Sequence, residues 1–298
     1  MKITSCIVLG ACGYLGMHLS HYLHQKGVKV MAFDTIVKNI PGIECEKIDI
    51  TSAKDLSQVN WDVDAVFHFA GLTGTHAGFD KYDEYIKINE IGLLNVLTAI
   101  KNSGHKPRFV LPSTRLVYKG SDNPLHEDAP KEAKTVYAAN KIAGELLLEA
   151  YRNAFGLDYT VFRICVPYGN MLGGSYSYGT IGFFINQCRD AGVVRLYGDG
   201  SLRRTFTHVE DLCRQIHTVT LKDSSRNLIL NTAGECFSLK EVAVIVAQKY
   251  NAKVEFTPWP EKDLAIESGH TVFESSMLES LMQNALTRQF FLWINEVK

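Results

Sequence analysis

Long apolar runs are missing from this chain. No stretch approaches the ~18 residues that a bilayer-spanning helix needs, so no membrane partner is expected. A bias of charge is missing too. With 31 basic against 32 acidic residues and no basic run, there is no global field to attract nucleic acid or an anionic surface, and neither is expected as a partner. The seven cysteines, Cys6, Cys12, Cys45, Cys165, Cys188, Cys213 and Cys236, are odd in number and widely scattered. They form no CxxC or Cys/His ligand spacing, which argues for reduced structural thiols and against a disulfide framework or a metal site. Internal repeats and low-complexity tracts are also lacking. The opening "MKITSCIVLGACGYLG" imitates a signal peptide, but glycines interrupt its short apolar run and a helical pattern follows. A soluble cytoplasmic protein is the expectation. At 298 residues and 46% apolar composition, the chain can bury one large core or two modest ones.

What is present is alternation. Up to about residue 165, short β-type runs ("ITSCIVLG", "VKVMAFD", "CEKIDI", "DAVFHFAG", "RFVLPST", "YTVFRICV") alternate with amphipathic segments, notably Tyr14 to Lys26, Tyr82 to Ser103 and Val136 to Phe155. Parallel strands need crossover connections and helices usually supply them, so the pattern predicts an α/β fold with a doubly wound parallel sheet. From Tyr168 onward the character changes. "YGNMLGGSYSYG" reads as a loop, and shorter elements follow, including helices near Ile181 to Ala191, Leu239 to Tyr250 and Met277 to Trp293. The expected division is residues 1–167 and a smaller C-terminal lobe, 168–298, with some segments interleaved.

In a doubly wound fold, ligands sit beyond the carboxyl ends of the strands. "GACGYLG" occupies such a place, with Gly10, Gly13 and Gly16 between the first strand and first helix. Glycines there allow a sharp turn and close approach of the backbone to a pyrophosphate, which the helix N-terminus attracts. A three-glycine pattern alone is weak, and a ligand-free tight turn is its plain alternative. Asp34 adds context, because it ends the second strand 18 residues beyond Gly16, near the spacing of about 20 for a ribose-binding acid. A carboxylate there repels a 2′-phosphate, so NAD is favoured over NADP. The alternative for Asp34 is a solvated turn residue.

"YAANK" places Tyr137 and Lys141 on one helical face, 23 residues after the Ser113-Thr114 strand end. A free tyrosine, with a pKa of about 10, is too weak a base at neutral pH. A lysine ammonium on the same face favours the phenolate, and a strand-end hydroxyl can hold a substrate oxygen. By itself the pair is an ordinary solvated i,i+4 pair. Its order behind a dinucleotide turn and a Ser/Thr strand end makes it a proton-transfer unit. His68, at another strand end, reads as a packed histidine.

The GxxGxxG turn, "HFAGL" (His68 to Leu72), the Asn89/Gly92/Asn95 helix pattern and YxxxK resemble the extended short-chain dehydrogenase/reductases, the NAD-dependent nucleotide-sugar epimerase/dehydratase family, and especially its UDP-galactose 4-epimerases. The resemblance implies a Rossmann domain binding NAD through Gly10, Gly13, Tyr14, Leu15, Gly16, Asp34, Asp49, Ile50, Phe69, Ala70, Gly71, Asn89, Tyr137 and Lys141. It makes Tyr137 the base, Lys141 its partner and Thr114 the hydroxyl group, with Ser113 as a secondary substrate contact. "LYGDGSLRRTFTHVEDL" implies a diphosphate-gripping Arg204, while Arg203 reads as solvated.

The pattern also departs from the family. The dehydratases' Asp-Glu pair is Arg115-Leu116 here, and leucine donates no proton, so 4,6-dehydration is disfavoured. Val166 replaces an asparagine that contacts substrate phosphate, and Thr205 and His208 replace an aspartate and a tyrosine. Nucleotide-sugar 4-epimerisation is the leading expectation. A 4-ketoreductase of the same family and a dinucleotide sensor remain as alternatives. The long helices Tyr82 to Ser103 and Val136 to Phe155 imply a homodimer through a four-helix bundle, although burial within one subunit explains part of the same pattern.

Overall fold

The computed structural model describes residues 2–173 and 178–297, so part of the expected loop "YGNMLGGSYSYG", residues 174–177, lies outside the described residues. The chain forms two compact units. The first comprises 1–117, 135–163 and 216–230, and the second 118–134, 164–215 and 231–298. The chain thus passes between units several times.

In the first unit, β1 (Ser5–Leu9), β2 (Lys29–Asp34), β3 (Cys45–Lys47), β4 (Ala65–His68), β5 (Arg108–Thr114) and β6 (Tyr159–Ile164) join the strand Leu228–Asn231 in one seven-stranded sheet. Its order is Leu228–Asn231, β6, β5, β4, β1, β2, β3. The pairs β1/β2, β1/β4, β2/β3 and β4/β5 are parallel. The chain winds outward from β1 to β3 and returns at β4 on the other side, which leaves a crevice at the carboxyl ends of β1 and β4. Strands β4, β5 and β6 are buried at every position, as expected of a sheet covered on both faces. Leu9, Phe33, Val66, Phe109 and Val161 share a core with Leu93, Val96, Leu97 and Leu148 from the covering helices.

Helix α1 (Tyr14–Gln25) starts at Gly13 with no side-chain cap and no acid in its first turn, leaving its N-terminal amides for another acceptor. The small helices α2 (Ala53–Leu56) and α3 (Ala77–Asp80) precede α4 (Tyr82–Ile86) and α5 (Gly92–Ser103). Between α4 and α5, where a single regular helix is expected from the sequence, Lys87–Ile91 forms a π-helical turn. Helix α6 (Val136–Phe155) is capped by the Thr135 hydroxyl on Ala138 N and ends at Gly156 in the left-handed region, φ 69°.

In the second unit, Val166–Tyr168, Arg203–His208 and Glu235–Ser238 form a three-stranded sheet, and Val193–Tyr197 pairs with Lys253–Thr257. Helices Gly179–Ala191 and Leu239–Lys249 match the sequence reading closely. The expected final helix is instead two, Ser276–Leu281 and Phe290–Glu296, with Asn284 at a positive φ of 52° between them.

Behind the α6/β5 contact lies a buried charge cluster. Glu145 accepts from Arg163 Nε at 2.9 Å, from Arg163 Nη2 at 2.5 Å and from the Ser113 hydroxyl at 2.6 Å. Glu145 and Arg163 are both buried, so removing one partner strands the other's charge. An Arg163→Met variant is expected to lose about 3–5 kcal/mol in chemical denaturation. Glu145→Met/Arg163→Met should recover much of that loss. Wild-type stability of the single variant would show the pair to be dispensable.

Candidate active site

The glycine turn after β1 is built by close approach. Gly10 adopts φ +79°, and a Cβ there would lie 2.4 Å from Ala70 N and 2.5 Å from Phe69 C, in the segment after β4. A Cβ on Gly16 would lie 2.1 Å from Gly10 O. Neither position has room for a side chain, so turn, helix and β4 end lock together only with glycine. Gly13 sits at the uncapped start of α1.

Asp34, the last residue of β2, accepts from Cys12 N through Oδ2 at 2.9 Å and from Ile36 N through Oδ1 at 3.1 Å. It faces a cleft of about 490 Å³ whose walls include Gly10, Gly13, Asp34, Asp49, Ile50 and Phe69 to Gly71. Asp49 lies in the turn after β3, where its Oδ1 holds Thr51 N and Oγ1, both at 2.8 Å. Tyr14 and Leu15 form the first turn of α1 and are not among the cleft-lining residues. Asn89 is not among the cleft-lining residues. In the π-turn, its side chain accepts from Leu72 N at 2.7 Å and donates to Leu72 O at 3.0 Å. It therefore clasps the cleft wall after β4.

Thr114 ends β5 and is 8% exposed. Its Oγ1 accepts from Leu116 N at 3.3 Å. Tyr137 and Lys141 occupy successive turns at the start of α6, with Lys141 Nζ 5.7 Å from the Tyr137 ring centroid. Lys141 Nζ donates to Pro112 O at 2.8 Å, which ties it to β5. Burial pushes Lys141 down from 10.5 to about 8, and the Glu145 carboxylate one turn further along works in the opposite direction.

His68 is packed, as its strand-end position suggested. It is buried, its Nδ1 has no hydrogen-bond partner among the described residues, and its ring lies 5.7 Å from that of Phe109. Burial, reinforced by the Lys141 ammonium, pushes it down to about 3. It is neutral at physiological pH.

Two expected substrate contacts are occupied elsewhere. The buried Ser113 hydroxyl is directed to Glu145. Arg204, in the second unit, is 2% exposed and donates to Glu267 Oε1 at 2.6 Å, Gly269 O at 2.5 Å and Arg203 O at 2.9 Å. In this structure its fork is engaged by protein oxygens. Arg203, read as solvated, donates to Cys236 Sγ at 3.4 and 3.3 Å.

Sequence reasoning passed over Glu90 and Asn140. Asn140, 3% exposed, donates to Glu90 Oε1 at 2.5 Å and accepts from Asn89 Nδ2 at 3.3 Å. The π-turn is thereby bonded to the residue before Lys141. Glu145 was legible in principle, lying four residues after Lys141 on the same face. The Asn140 contact depends on the π-turn and left no sequence signal. Among the described residues, no His/Cys/Asp/Glu group of three or more can hold a metal, and no helix is long and apolar enough to cross a membrane.

A switch-point cleft with a glycine cradle, a strand-end acid and a Thr/Tyr/Lys set at the neighbouring strand and helix ends defines an enzyme of dinucleotide-dependent carbonyl/alcohol chemistry. Residues 6–232 match the model of the NAD dependent epimerase/dehydratase family. The chain belongs to that family, and its cofactor is NAD. It is 29% identical over 226 residues to a UDP-glucuronate 4-epimerase of Thermodesulfobacterium geofontis, covering 70% of this chain and 69% of that one. It is also 29% identical over 262 residues to a UDP-N-acetyl-alpha-D-glucosaminuronate decarboxylase of Bacillus cytotoxicus, covering 82% and 79%. In fold it is similar to the UDP-glucose 4-epimerase of Thermus thermophilus solved with NAD, with a TM-score of 0.84, 21% identity and coverage of 98% and 97%.

Two measurements check the site. Asp34→Ala is expected to weaken NAD binding by roughly 10- to 100-fold, as for loss of hydrogen bonds to a charged group; unchanged affinity in calorimetric titration would remove Asp34 from the cofactor site. For His68, the unfolded chain takes up a proton between about 6.5 and about 3 that the folded chain refuses. The stability this group contributes is complete above about pH 6.5 and is lost as pH falls, by up to about 1.4 kcal/mol per pH unit. Urea unfolding at about pH 7 and 4.5 should therefore show a smaller acid loss for His68→Leu than for wild type.

Proposed function

We propose that the chain is a nucleotide-sugar 4-epimerase whose substrate is a uridine diphosphate uronate. The observation that carries this reading is the Thr114/Tyr137/Lys141 set with Leu116 two residues beyond Thr114. Tyr137 takes the proton of the C4 hydroxyl and later returns one. Lys141 favours the phenolate from the next turn of the same helix, and Thr114 holds the reacting oxygen. When bound, NAD supplies the hydride acceptor and donor for C4. Between those events the 4-keto sugar turns over in the pocket and presents its other face.

Elimination, or reprotonation of a ring carbon after loss of CO2, needs a further acid, and Leu116 has none to give. This favours re-reduction over dehydration and over the decarboxylation carried out by one of the relatives. The uronate assignment rests on Arg115. It follows Thr114 directly in the turn Arg115–Val117, partly open to solvent, and a guanidinium suits a carboxylate on the sugar's C5. The names of the related uronate enzymes agree with it. A homodimer through α4 to α6 is part of the proposal, supported by the exposed Tyr82, Ile86, Ile91 and Leu146 on those helices.

The test is incubation of the purified protein with UDP-glucuronate and separately with UDP-glucose, followed by NMR of the sugar. The expected outcome is conversion of the uronate to its C4 epimer without net consumption of cofactor. Tyr137→Phe should slow it by ~10²- to 10⁴-fold, the usual scale of general acid-base catalysis. The rate should fall as pH rises through about 8, where Lys141 loses its proton. Release of CO2, or stoichiometric oxidation of NADH by a 4-keto sugar, would overturn the epimerase reading. Faster conversion of UDP-glucose would overturn the uronate.

A further inference from the structure

Outside the chemistry at Tyr137, the fold brings together two cysteines that are 33 positions apart in the chain. Cys12 Sγ and Cys45 Sγ lie 3.3 Å from each other. Cys12 sits inside the glycine turn, lines the cofactor cleft and gives its backbone N–H to Asp34. Its sulfur also accepts the Lys38 backbone N–H at 3.2 Å, and its carbonyl accepts Lys38 Nζ at 3.2 Å. Cys45 is partly exposed on β3, an edge strand of three residues. Cys12 is buried on the cleft wall, and Cys45 beside it is the more exposed of the two thiols.

We propose that Cys12 and Cys45 form an intramolecular disulfide under oxidising conditions, and that this bond and bound NAD exclude one another. The oxidant is a low-molecular-weight disulfide. Cys45, the more exposed thiol, loses its proton to solvent and attacks one of the oxidant's sulfurs, forming a mixed disulfide and releasing one small thiol. Cys12 then loses its proton and attacks the Cys45 sulfur, expelling the second small thiol. Two protein thiols are oxidised and one small disulfide is reduced to two thiols. Burial, with Cys12, Asp34 and Glu46 nearby, pushes Cys45 up to about 12, so the first step quickens as pH rises.

The coupling to the cofactor is geometric. A disulfide brings the sulfurs from 3.3 Å to about 2.05 Å. That draws Cys12 toward β3, shifts its N–H relative to Asp34 and alters the turn between Gly10 and Gly13. NAD held in the cleft that Cys12 lines would in turn shield it, and such linkage is reciprocal.

The experiment treats the full chain, in a Cys236→Ser background to silence that exposed thiol, with oxidised glutathione, and maps the products by peptide mass spectrometry. The expected result is a Cys12–Cys45 cross-linked peptide, formed at least ~5-fold more slowly at saturating NAD. The cross-linked protein should bind NAD at least ~5-fold more weakly and recover after reduction. Cys45→Ser, which leaves the cleft lining intact, should bind NAD as wild type does when reduced and should form no cross-link. Absence of the cross-link, or a cross-link that leaves NAD affinity unchanged, would overturn the proposal. Neither readout involves a sugar, so its failure is distinct from failure of the epimerase assignment.

Discussion

The site depends on backbone atoms meeting where no side chain fits. At Gly10 the chain leaves β1 and passes so close to the Phe69–Ala70 segment that a single Cβ would overlap it, and at Gly16 the first helix presses on the carbonyl of Gly10. These contacts fix the start of α1, with its uncapped amides, against the crevice between β1 and β4. The position of Asp34 follows, because its carboxylate is held by the amide of Cys12 in the same turn. A free helix N-terminus with a carboxylate beside it suits a dinucleotide, with the phosphates on the amides and the ribose hydroxyls on the acid.

The second half of the site is anchored differently. Lys141 is held by the carbonyl of Pro112, while Glu145, one turn on, carries an ion pair with Arg163 of β6. Burial alone would strip Lys141 of its proton more readily, and the carboxylate opposes that. The same buried cluster that stabilises the packing of α6 on the sheet therefore also supports the charged state of Lys141. On the other side of α6, Asn140 bonds to the π-turn. A π-turn shifts the phase of a helix, and such turns recur at functional sites. Here it lets Asn89 reach the Leu72 backbone while Glu90 reaches Asn140.

Much of this arrangement was legible in the chain. The glycine spacing, Asp34, the strand-end Thr114 and the Tyr137/Lys141 pair are local patterns, each confined to a turn, a strand end or one helical face. The β/α alternation was strong enough to give the sheet and α6 with its ends. What could not be read were commitments made across long separations. Ser113 resembles an available hydroxyl until Glu145 is seen to take it. Nothing in the sequence around Arg204 tells that Glu267 and Gly269 accept from its fork. The scattered cysteines resemble inert packing until β3 carries Cys45 to Cys12.

The sequence by itself determined the fold class, the family and the chemical types at the reaction centre, because periodicity and short motifs are encoded within a few turns of chain. Only the tertiary structure decided which polar groups are spent on the protein's own interior and which remain for a ligand. A buried hydrogen-bonding group must find a partner. Which partner it finds depends on residues brought together by strand order, and no local pattern records that order.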